Sequence, residues 1–339
     1  MTNKSIYLTM ALLVLIATIL SIVYGAVEIS ISEMSSALNK WINNPENLNL
    51  NERIFLEIRL PRAILTLIVG SSLAVGGVLM QGLFLNPIVE PGLIGTSSGA
   101  AFGAALYFTL GAVLDFNAGE WTLPIAACLG GMLATFIVFF LSESSSRNKT
   151  STISLLLIGI AVNALFLSGI GFLSYIARDP QARSITFWNL GTLSGANWHS
   201  VVIVGLTCVS CVLLGLKYAK QLNALMLGEL EAGNLGISIR SLKLKVLFVN
   251  VLLVSVATAF TGVIGFVGLV VPHVLRLLKG SDTRYLILGS VFMGALLLSI
   301  ADILARLLLA PAELPIGIVT TVVGAPIFIY LLRKNEYYF

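Results

Sequence analysis

Residues 70–95 read GSSLAVGGVLMQGLFLNPIVEPGLIG, an apolar run rich in small residues that is cut by Pro87 and Pro91. Proline donates no backbone hydrogen bond and disfavours a helical conformation in the residue before it, so a helix that enters this run must end near Phe84. Backbone that leaves a helix at membrane depth persists only where protein or a water-filled cavity satisfies its polar groups. The stretch therefore predicts two apolar helices joined by a break, which is either a tight hairpin or a constriction in a pathway.

The composition of the whole chain is that of a membrane protein. Of its 339 residues, 57% are hydrophobic and 11% are charged, with a mean hydropathy of +0.97, whereas a soluble domain has roughly 25% charged residues. Apolar runs of about 20 residues, enough to cross a hydrocarbon core of roughly 30 Å, recur along it. We predict an all-α integral membrane protein, a single transmembrane domain over residues 1–339 with about ten helices. The predicted helices are 6–27, 62–84, 93–112, 121–142, 152–176, 199–216, 246–266, 268–279, 285–309 and 314–332.

The basic residues indicate the orientation, because cytoplasmic loops carry the excess of Lys and Arg. With the N-terminus inside, thirteen of the 20 basic residues fall on the cytoplasmic side and seven outside. They form no stripe of the kind that binds nucleic acid. The outside set holds more arginines than topology alone favours, which predicts a further role for some of them. Its members are Lys40, Arg53, Arg59, Arg62, Arg178, Arg183 and Arg306.

The chain also shows signs of an internal repeat. A shift of 185 residues aligns Gly77 with Gly262, Gly95 with Gly280 and Pro87 with Pro272. Two glycines and a proline in register predict two related halves, a common plan among transporters. Small residues crowd several helices, which predicts close helix contacts. They include Gly70, Gly99, Gly103, Gly130, Gly131, Gly169 and Gly171.

No residue pattern supports catalysis by this chain. The phosphate loop G-x-x-x-x-G-K-[ST] and the zinc motif H-E-x-x-H are both absent, and His199 and His273 lie far apart in the sequence. Asp302 and Arg306 are four residues apart on one helix face, where a structural ion pair is the simplest interpretation. We predict a transport subunit that itself binds no cofactor or metal.

Residues 224–238, ALMLGELEAGNLGIS, interrupt the apolar pattern on the predicted cytoplasmic side. This acidic and glycine-rich stretch is the one cytoplasmic segment that looks like a docking surface for another protein. Its glycines and acids are Gly228, Glu229, Glu231, Gly233 and Gly236.

Four stretches, Arg59-Leu-Pro-Arg62, 70–95, 262–282 and 301–334, closely resemble in matching order the permease subunits of bacterial ABC importers for iron-siderophores, haem and cobalamin. The resemblance covers essentially the whole chain. It implies a homodimer of ten-helix subunits in the bacterial inner membrane, with the pathway at the dimer axis. It also implies two cytoplasmic ATPase subunits, which hold ATP and Mg²⁺, and a periplasmic binding protein that delivers the ligand.

The same resemblance assigns roles to the two ends of the chain's helices. It likens the segment of about 219–241 to the coupling helices that sit in a cleft of the ATPase, and implies that Glu229 and Glu231 face that partner. It places Arg59, Arg62 and Arg306 where the family offers positive charge to acidic residues of the binding protein. Opposite charges steer such docking and fix its register.

The resemblance likens Asn86 and Ile88 to an inner gate, and Thr150 and Ser151 to a second narrowing beside it. A hydrophobic residue such as Ile88 suits a gate that closes by excluding water. The implied mechanism is alternating access, in which ATP closes the ATPase pair and the helix bundles rock to open the path first on one side and then on the other.

The ligand is less clearly indicated. Residues 178–191, RDPQARSITFWNLG, look more like haem permeases than siderophore permeases, and Arg183 is the predicted contact for a haem propionate. A ferric siderophore is the close alternative, and cobalamin is the third. Phe187 and Trp188 predict an aromatic surface at the outer mouth. An ion-coupled secondary transporter is a competing class, but such proteins place ionisable residues at mid-membrane, where only Asp302 is arguable.

Overall fold

The computed structural model describes residues 3–25, 27–43, 45–113, 119–144, 149–150 and 152–334. Apart from one antiparallel pairing of β1 (Glu143–Ser144) with β2 (Lys149–Thr150), the regular structure of these residues is helical. The α-helices are α1 (Asn3–Val23), α2 (Ile31–Asn43), α3 (Leu50–Arg53), α4 (Leu60–Phe84), α5 (Thr96–Val113), α6 (Thr122–Ser142), α7 (Thr152–Ile176), α8 (Asp179–Asn189), α9 (Trp198–Leu225), α10 (Glu229–Asn234), α11 (Ile239–Thr261), α12 (Val267–Lys279), α13 (Thr283–Leu307) and α14 (Ile316–Lys334). Short 3₁₀ turns cover Pro45–Asn47 and Pro91–Ile94, and a π-helical stretch, Ile54–Arg59, joins α3 to α4.

Ten helices of the described chain follow the ten predicted spans in order. They are α1, α4, α5, α6, α7, α9, α11, α12, α13 and α14. Seven segments in this part of the chain are long and apolar enough to cross a membrane, namely α1, the continuous α3–α4 helix, α6, α7, α9, α11 and α13. The prediction of an all-α membrane protein is confirmed.

Two predicted helix boundaries, both on the predicted cytoplasmic side, are wrong. We expected the sixth span to end at 216, but α9 continues to Leu225 and carries Lys217 and Lys220 beyond the apolar run. The seventh begins at Ile239, before Lys243 and Lys245, rather than at 246. Lys is a good helix former, so a helix does not stop where its sequence becomes polar. The predicted coupling segment of 219–241 therefore begins inside α9 and ends inside α11.

The predicted alignment of the internal repeat, with its shift of 185 residues, is also wrong. The 185-residue shift would pair Gly77, in the middle of α4, with Gly262, which follows the end of α11. It would pair Pro87, in the break after α4, with Pro272 inside α12. Glycine and proline recur often enough in so apolar a chain to match by chance. What does recur is the order of elements, because α4 and α11 are both long helices that end at a break before another apolar helix.

The helix α4 lies at the centre of the bundle, where it packs against α9, α11, α12 and α13. Glycines make the closest of these contacts possible. A Cβ atom built on Gly77 would lie 1.9 Å from the backbone oxygen of Gly268 on α12, and one on Gly70 would lie 2.3 Å from that of Gly294 on α13. Close helix contact through small residues, predicted for Gly70, is confirmed, whereas Gly171 has no neighbouring atom within 4 Å of a built Cβ.

Replacing Gly77→Ala should destabilise the protein by about 1–3 kcal/mol, because the new methyl group forces the backbones of α4 and α12 apart. Gly171→Ala is the matched control. Its methyl group meets open space, and alanine in a helix is favoured over glycine by roughly 0.5–1 kcal/mol. Thermal unfolding in lipid nanodiscs measures both. Equal unfolding temperatures for the two variants would contradict the close contact.

Candidate functional site

An ionic cluster occupies the ends of α4 and α13 that lie on the predicted outer side, which are called their outer ends below. Arg62 donates from Nε and Nη2 to Asp302 Oδ1, at 3.0 and 2.9 Å, and from Nη1 to Glu313 Oε1 at 2.8 Å. Arg306 Nε lies 3.0 Å from Asp302 Oδ2, an ion pair by distance that lacks hydrogen-bond alignment. Asp302 has 0% exposure. The predicted pair of Asp302 with Arg306 is confirmed. The main partner of Asp302, however, is Arg62, which is 240 residues away in the sequence.

Two of the outer arginines also hold the end of α1. Arg306 Nη2 donates to Ser21 O at 3.0 Å and Nη1 to Tyr24 O at 2.9 Å. Arg59 Nη1 donates to Ile22 O at 2.9 Å, and its Nη2 donates to a carbonyl further along, that of Val27. The last carbonyls of a helix have no partner within it, and positive charge is favoured there by the helix dipole.

The three arginines predicted to dock a binding protein thus already have internal partners. Arg59 and Arg62 are buried, and the Arg306 side chain is nearly so. They link α1, α4 and α13 at their outer ends. Docking through them stays a prediction, and it requires that an acidic partner compete with Asp302, Glu313 and the α1 carbonyls.

The break after α4 places the two predicted gate residues differently. Leu85 ends the helix in the left-handed conformation, with φ 51°. Asn86 Oδ1 accepts a hydrogen bond from the Ile88 backbone N–H at 3.0 Å, so this amide caps the turn. The Ile88 side chain is 41% exposed. Of the two, Ile88 is the side chain that projects from the break and could close a passage.

A second break, residues 262–266 between α11 and α12, meets the first. Glu90 Oε1 accepts a hydrogen bond from the backbone N–H of Phe266 at 2.8 Å. Gln81 Nε2 donates to the Gly268 carbonyl at 3.2 Å, and Arg276 Nη1 donates to Gln81 Oε1. Sequence reasoning named none of these as site residues. Their signal was available, since a carboxylate next to a proline and an amide inside an apolar helix stand out in a chain with few polar residues.

The helix α7 holds the first break from its other side. Asn163 Nδ2 donates to the Gly92 carbonyl at 3.2 Å. The predicted second narrowing lies just before α7. Thr150 is in β2, where its Cα pairs with Glu143 of β1, and Ser151 lies outside the described residues. The gate role of Thr150 and Ser151 stays a prediction.

The predicted coupling segment contains a short helix, α10, which lies between two glycines of positive φ. Gly228 has φ 113° and Gly236 has φ 83°, values that favour glycine. The α10 residue Ala232 is buried, while Glu231 and Gly233 are exposed. Three leucines on and beside α10 are exposed as well, and the sequence analysis missed them. They are Leu227, Leu230 and Leu235.

A buried lysine joins α10 to α11. Lys243 Nζ lies 2.8 Å from Glu229 Oε1, and the Lys243 side chain is only 1% exposed. The Glu229 side chain is 46% exposed, so the carboxylate lies between the lysine and water. A buried charge needs a partner, because desolvation without one costs several kcal/mol. Glu229 was predicted to face a partner protein, which stays a prediction; what the structure shows is that it anchors α10 to α11.

The outer helix α8 presents Arg183 to solvent, together with Phe187. Trp188 was predicted as aromatic surface, but it is buried, because it lies on the face of α8 that packs against α5. Trp188 lines a cavity of about 280 Å³ with Trp121 and Phe260, and Arg183 is not among the lining residues. In the part of the chain described, no group of three or more His, Cys, Asp or Glu side chains is placed to hold a metal ion.

Replacing Asp302→Ala should cost about 3–5 kcal/mol of stability, because Arg306 would lose its counter-charge in a buried site and Arg62 would keep only the partly exposed Glu313. Glu313→Ala is the matched control. Its carboxylate pairs with the same Arg62 but is 41% exposed, so its loss should cost less than about 1 kcal/mol. Chemical unfolding in detergent micelles measures both. A loss for Glu313→Ala as large as that for Asp302→Ala would contradict the central position of Asp302.

Known proteins resemble this chain over nearly its whole length. The profile of the FecCD transport family matches residues 13–334. The hemin transport system permease protein HmuU of Yersinia pestis is 43% identical over 284 residues, which are 84% of this chain and 84% of that protein. The vitamin B12 import system permease protein BtuC of Salmonella typhi is 35% identical over 329 residues, covering 97% of this chain and 94% of that protein.

The fold has a close match among solved structures. A chain from an inward-facing structure described as a metal-chelate type ABC transporter superposes with a TM-score of 0.85 at 32% identity, covering 98% of this chain and 100% of that one. The helical architecture, the apolar spans and the sequence similarity all indicate the same class of protein. The protein is a multi-pass membrane protein and belongs to the FecCD transport family of ABC-importer permeases.

Proposed function

We propose that this chain is the membrane-spanning subunit of an ATP-driven importer of haem, working as a homodimer in the bacterial inner membrane. The observation that carries the choice of ligand is the 43% identity to a hemin permease, against 35% to vitamin B12 permeases. A ferric siderophore is the second candidate, because the similar solved structure is a metal-chelate type transporter. Cobalamin import is the third. Arg183, exposed on α8, is the proposed contact for a haem propionate.

The energy source is a pair of cytoplasmic ATPase subunits, which bind ATP and Mg²⁺. We place their docking surface at α10. Three features support this: the exposed leucines at 227, 230 and 235, the exposed Glu231, and the two glycines that set the helix apart from α9 and α11. An apolar patch rimmed by acids is typical of a protein interface. In this function the chain supplies the path and no catalytic residue.

The opposite end receives a periplasmic binding protein. The outer arginines support this proposal through charge, since Arg59, Arg62 and Arg306 cluster at one end of the bundle. Acidic groups of the arriving protein would draw one or more of them away from Asp302 and the end of α1. Docking would then loosen the link between α1, α4 and α13, which is a way to signal from outside that ligand is present.

The two breaks are the segments that change conformation when the path opens or closes. Rocking of α11 and α12 displaces residues 262–266, and the bond of Glu90 to Phe266 carries that displacement to the break that holds Asn86 and Ile88. Thr150 and Ser151 complete the proposed gate. Irregular backbone is a suitable place for such motion, because it absorbs changes in φ and ψ that a helix cannot.

Uptake by reconstituted vesicles tests the function. The chain is co-purified with the ATPase and binding-protein subunits of its importer, and uptake of haem, ferric enterobactin and cyanocobalamin is compared with and without ATP. We expect ATP-dependent uptake of haem to exceed that of the other two. Uptake that follows an ion gradient without ATP, or that favours cobalamin, would contradict the proposal.

Replacing Lys243→Met should uncouple ATP hydrolysis from transport while the ATPase still binds, because α10 would lose its anchor on α11. The ligand moved per ATP should fall roughly 2- to 30-fold, the range over which residues of a coupling network act. Lys243→Arg keeps the ion pair and should restore coupling. Lys245→Met, an exposed residue on the same helix, is the control. A wild-type ratio for Lys243→Met would show that the anchor does not transmit motion.

A further inference from the structure

The helix α2 lies in the outer connection between α1 and α4, and its sequence has one continuous apolar face. At 3.6 residues per turn, each residue is rotated by about 100° from the one before. The apolar residues fall on one arc, in the angular order Ala37, Trp41, Met34, Leu38, Ile31 and Ile42. The opposite arc is polar throughout. It holds Ser32, Glu33, Ser36, Asn39, Lys40 and Asn43.

Protein covers only half of the apolar arc. Ala37 is completely buried, and Met34 packs against the small cluster that includes Phe55 and Leu56 of the stretch leading into α4. The other half is open, because Leu38 is exposed and Ile42 is 81% exposed. A 13-residue helix that leaves its largest aliphatic residues open needs a second apolar surface against them.

Within the apolar arc, Trp41 lies between the covered residues Ala37 and Met34 but is itself 47% exposed. Its ring stacks on Trp198, with centroids 5.6 Å apart. Trp198 is the first residue of the spanning helix α9, and its indole N–H donates to the Leu56 carbonyl at 3.0 Å. Tryptophan is enriched where a membrane meets water, because its apolar ring carries one polar group. The stacked pair therefore places α2 at the level where α9 leaves the bilayer.

The open arc of α2 continues the lipid-facing surface of α9. Below Trp198, residues spaced by four or three positions are exposed along one side of α9, and all are aliphatic. They are Val202, Leu206, Val209 and Leu213. On a spanning helix of a membrane protein, such an exposed and uncharged stripe faces lipid. Trp198 lies at the top of this stripe, and Trp41 stacks on it. Leu38 and Ile42 therefore extend the exposed aliphatic surface of α9 along the outer interface.

The polar arc is turned the other way and is held there. Lys40 Nζ lies 2.8 Å from Glu52 Oε1, and Glu33 Oε1 accepts from Asn51 Nδ2 at 2.7 Å. The hydrogen bonds from Asn51 and Ser30 lower the pKa of Glu33 from its usual value, so this carboxylate stays ionised and requires a wet environment. The two contacts fix the rotation of α2 about its own axis.

We propose that α2 lies flat in the outer leaflet interface, with Leu38 and Ile42 inserted at the boundary of headgroups and acyl chains and its polar arc facing the periplasm. The partner of the open face is the lipid surface. A soluble protein approaching from outside would meet the polar arc first. By lying on the bilayer, α2 holds Glu52, and with it the stretch that positions Arg59, at a constant depth.

Nitroxide labels on neighbouring residues test this placement in the full chain, reconstituted in vesicles of phosphatidylethanolamine and phosphatidylglycerol. Labels are attached at Ile42→Cys and Asn43→Cys, which point about 100° apart, and at Leu206→Cys as the lipid reference. Cys128→Ala removes the one native thiol that is not buried. Power saturation then compares collisions with oxygen, which concentrates in lipid, and with a water-soluble nickel chelate.

We expect the label at 42 to collide mainly with oxygen, at a depth of about 5–10 Å, and the label at 43 to collide mainly with the nickel chelate. Equal nickel access at 42 and 43 would overturn the proposal and leave the face open to a soluble partner. Protection of position 42 from both reagents would also overturn it, since protein would then cover the face. Both outcomes concern α2 alone and leave the proposed import function standing.

Discussion

The structure depends on one constraint, which is that backbone outside a helix must find hydrogen-bond partners within the bilayer. The breaks at residues 85–95 and 262–266 meet this requirement together. Glu90 accepts from the N–H of Phe266, Gln81 donates to the Gly268 carbonyl, and Asn163 donates to the Gly92 carbonyl. Because unsatisfied backbone groups in lipid cost several kcal/mol each, neither break can move far without the other. Two irregular segments far apart in sequence thus act as one unit, next to Ile88 where a gate is proposed.

Buried ion pairs link the helices at both ends of the bundle. At the outer end, the fully buried Asp302 joins Arg62 to Arg306, and Arg306 and Arg59 hold the end of α1. At the inner end, buried Lys243 fixes α10 to α11 through Glu229. Close glycine contacts lock α4 to α12 and α13 between them. In the proposed function, displacements at either end would reach the breaks through rigid helices, since a packed bundle does not deform continuously.

The sequence was sufficient for features that depend on local composition. Ten helices and the acidic glycine stretch around α10 follow from apolar run lengths and charge positions, and the pairing of Asp302 with Arg306 follows from their spacing of four. Features set by tertiary contact could not be predicted this way. The partnership of Arg62 with Asp302, of Glu90 with Phe266 and of Lys243 with Glu229 each joins separate elements. The last residues of α9 and the first residues of α11 were not predicted, because both helices continue past the change from apolar to polar sequence that marked the expected boundary.

Local opening of the second break tests most directly whether the two breaks form one unit. Amide hydrogen exchange at residues 262–270, measured in lipid nanodiscs, compares Glu90→Ala with Glu90→Gln, which keeps an acceptor oxygen, and with Ile88→Ala, which alters the same break without touching Phe266. Leaving the partly buried Phe266 N–H without its acceptor costs about 1–3 kcal/mol, so exchange should rise roughly tenfold for Glu90→Ala, less for Glu90→Gln and not at all for Ile88→Ala. Unchanged exchange in Glu90→Ala would contradict the account.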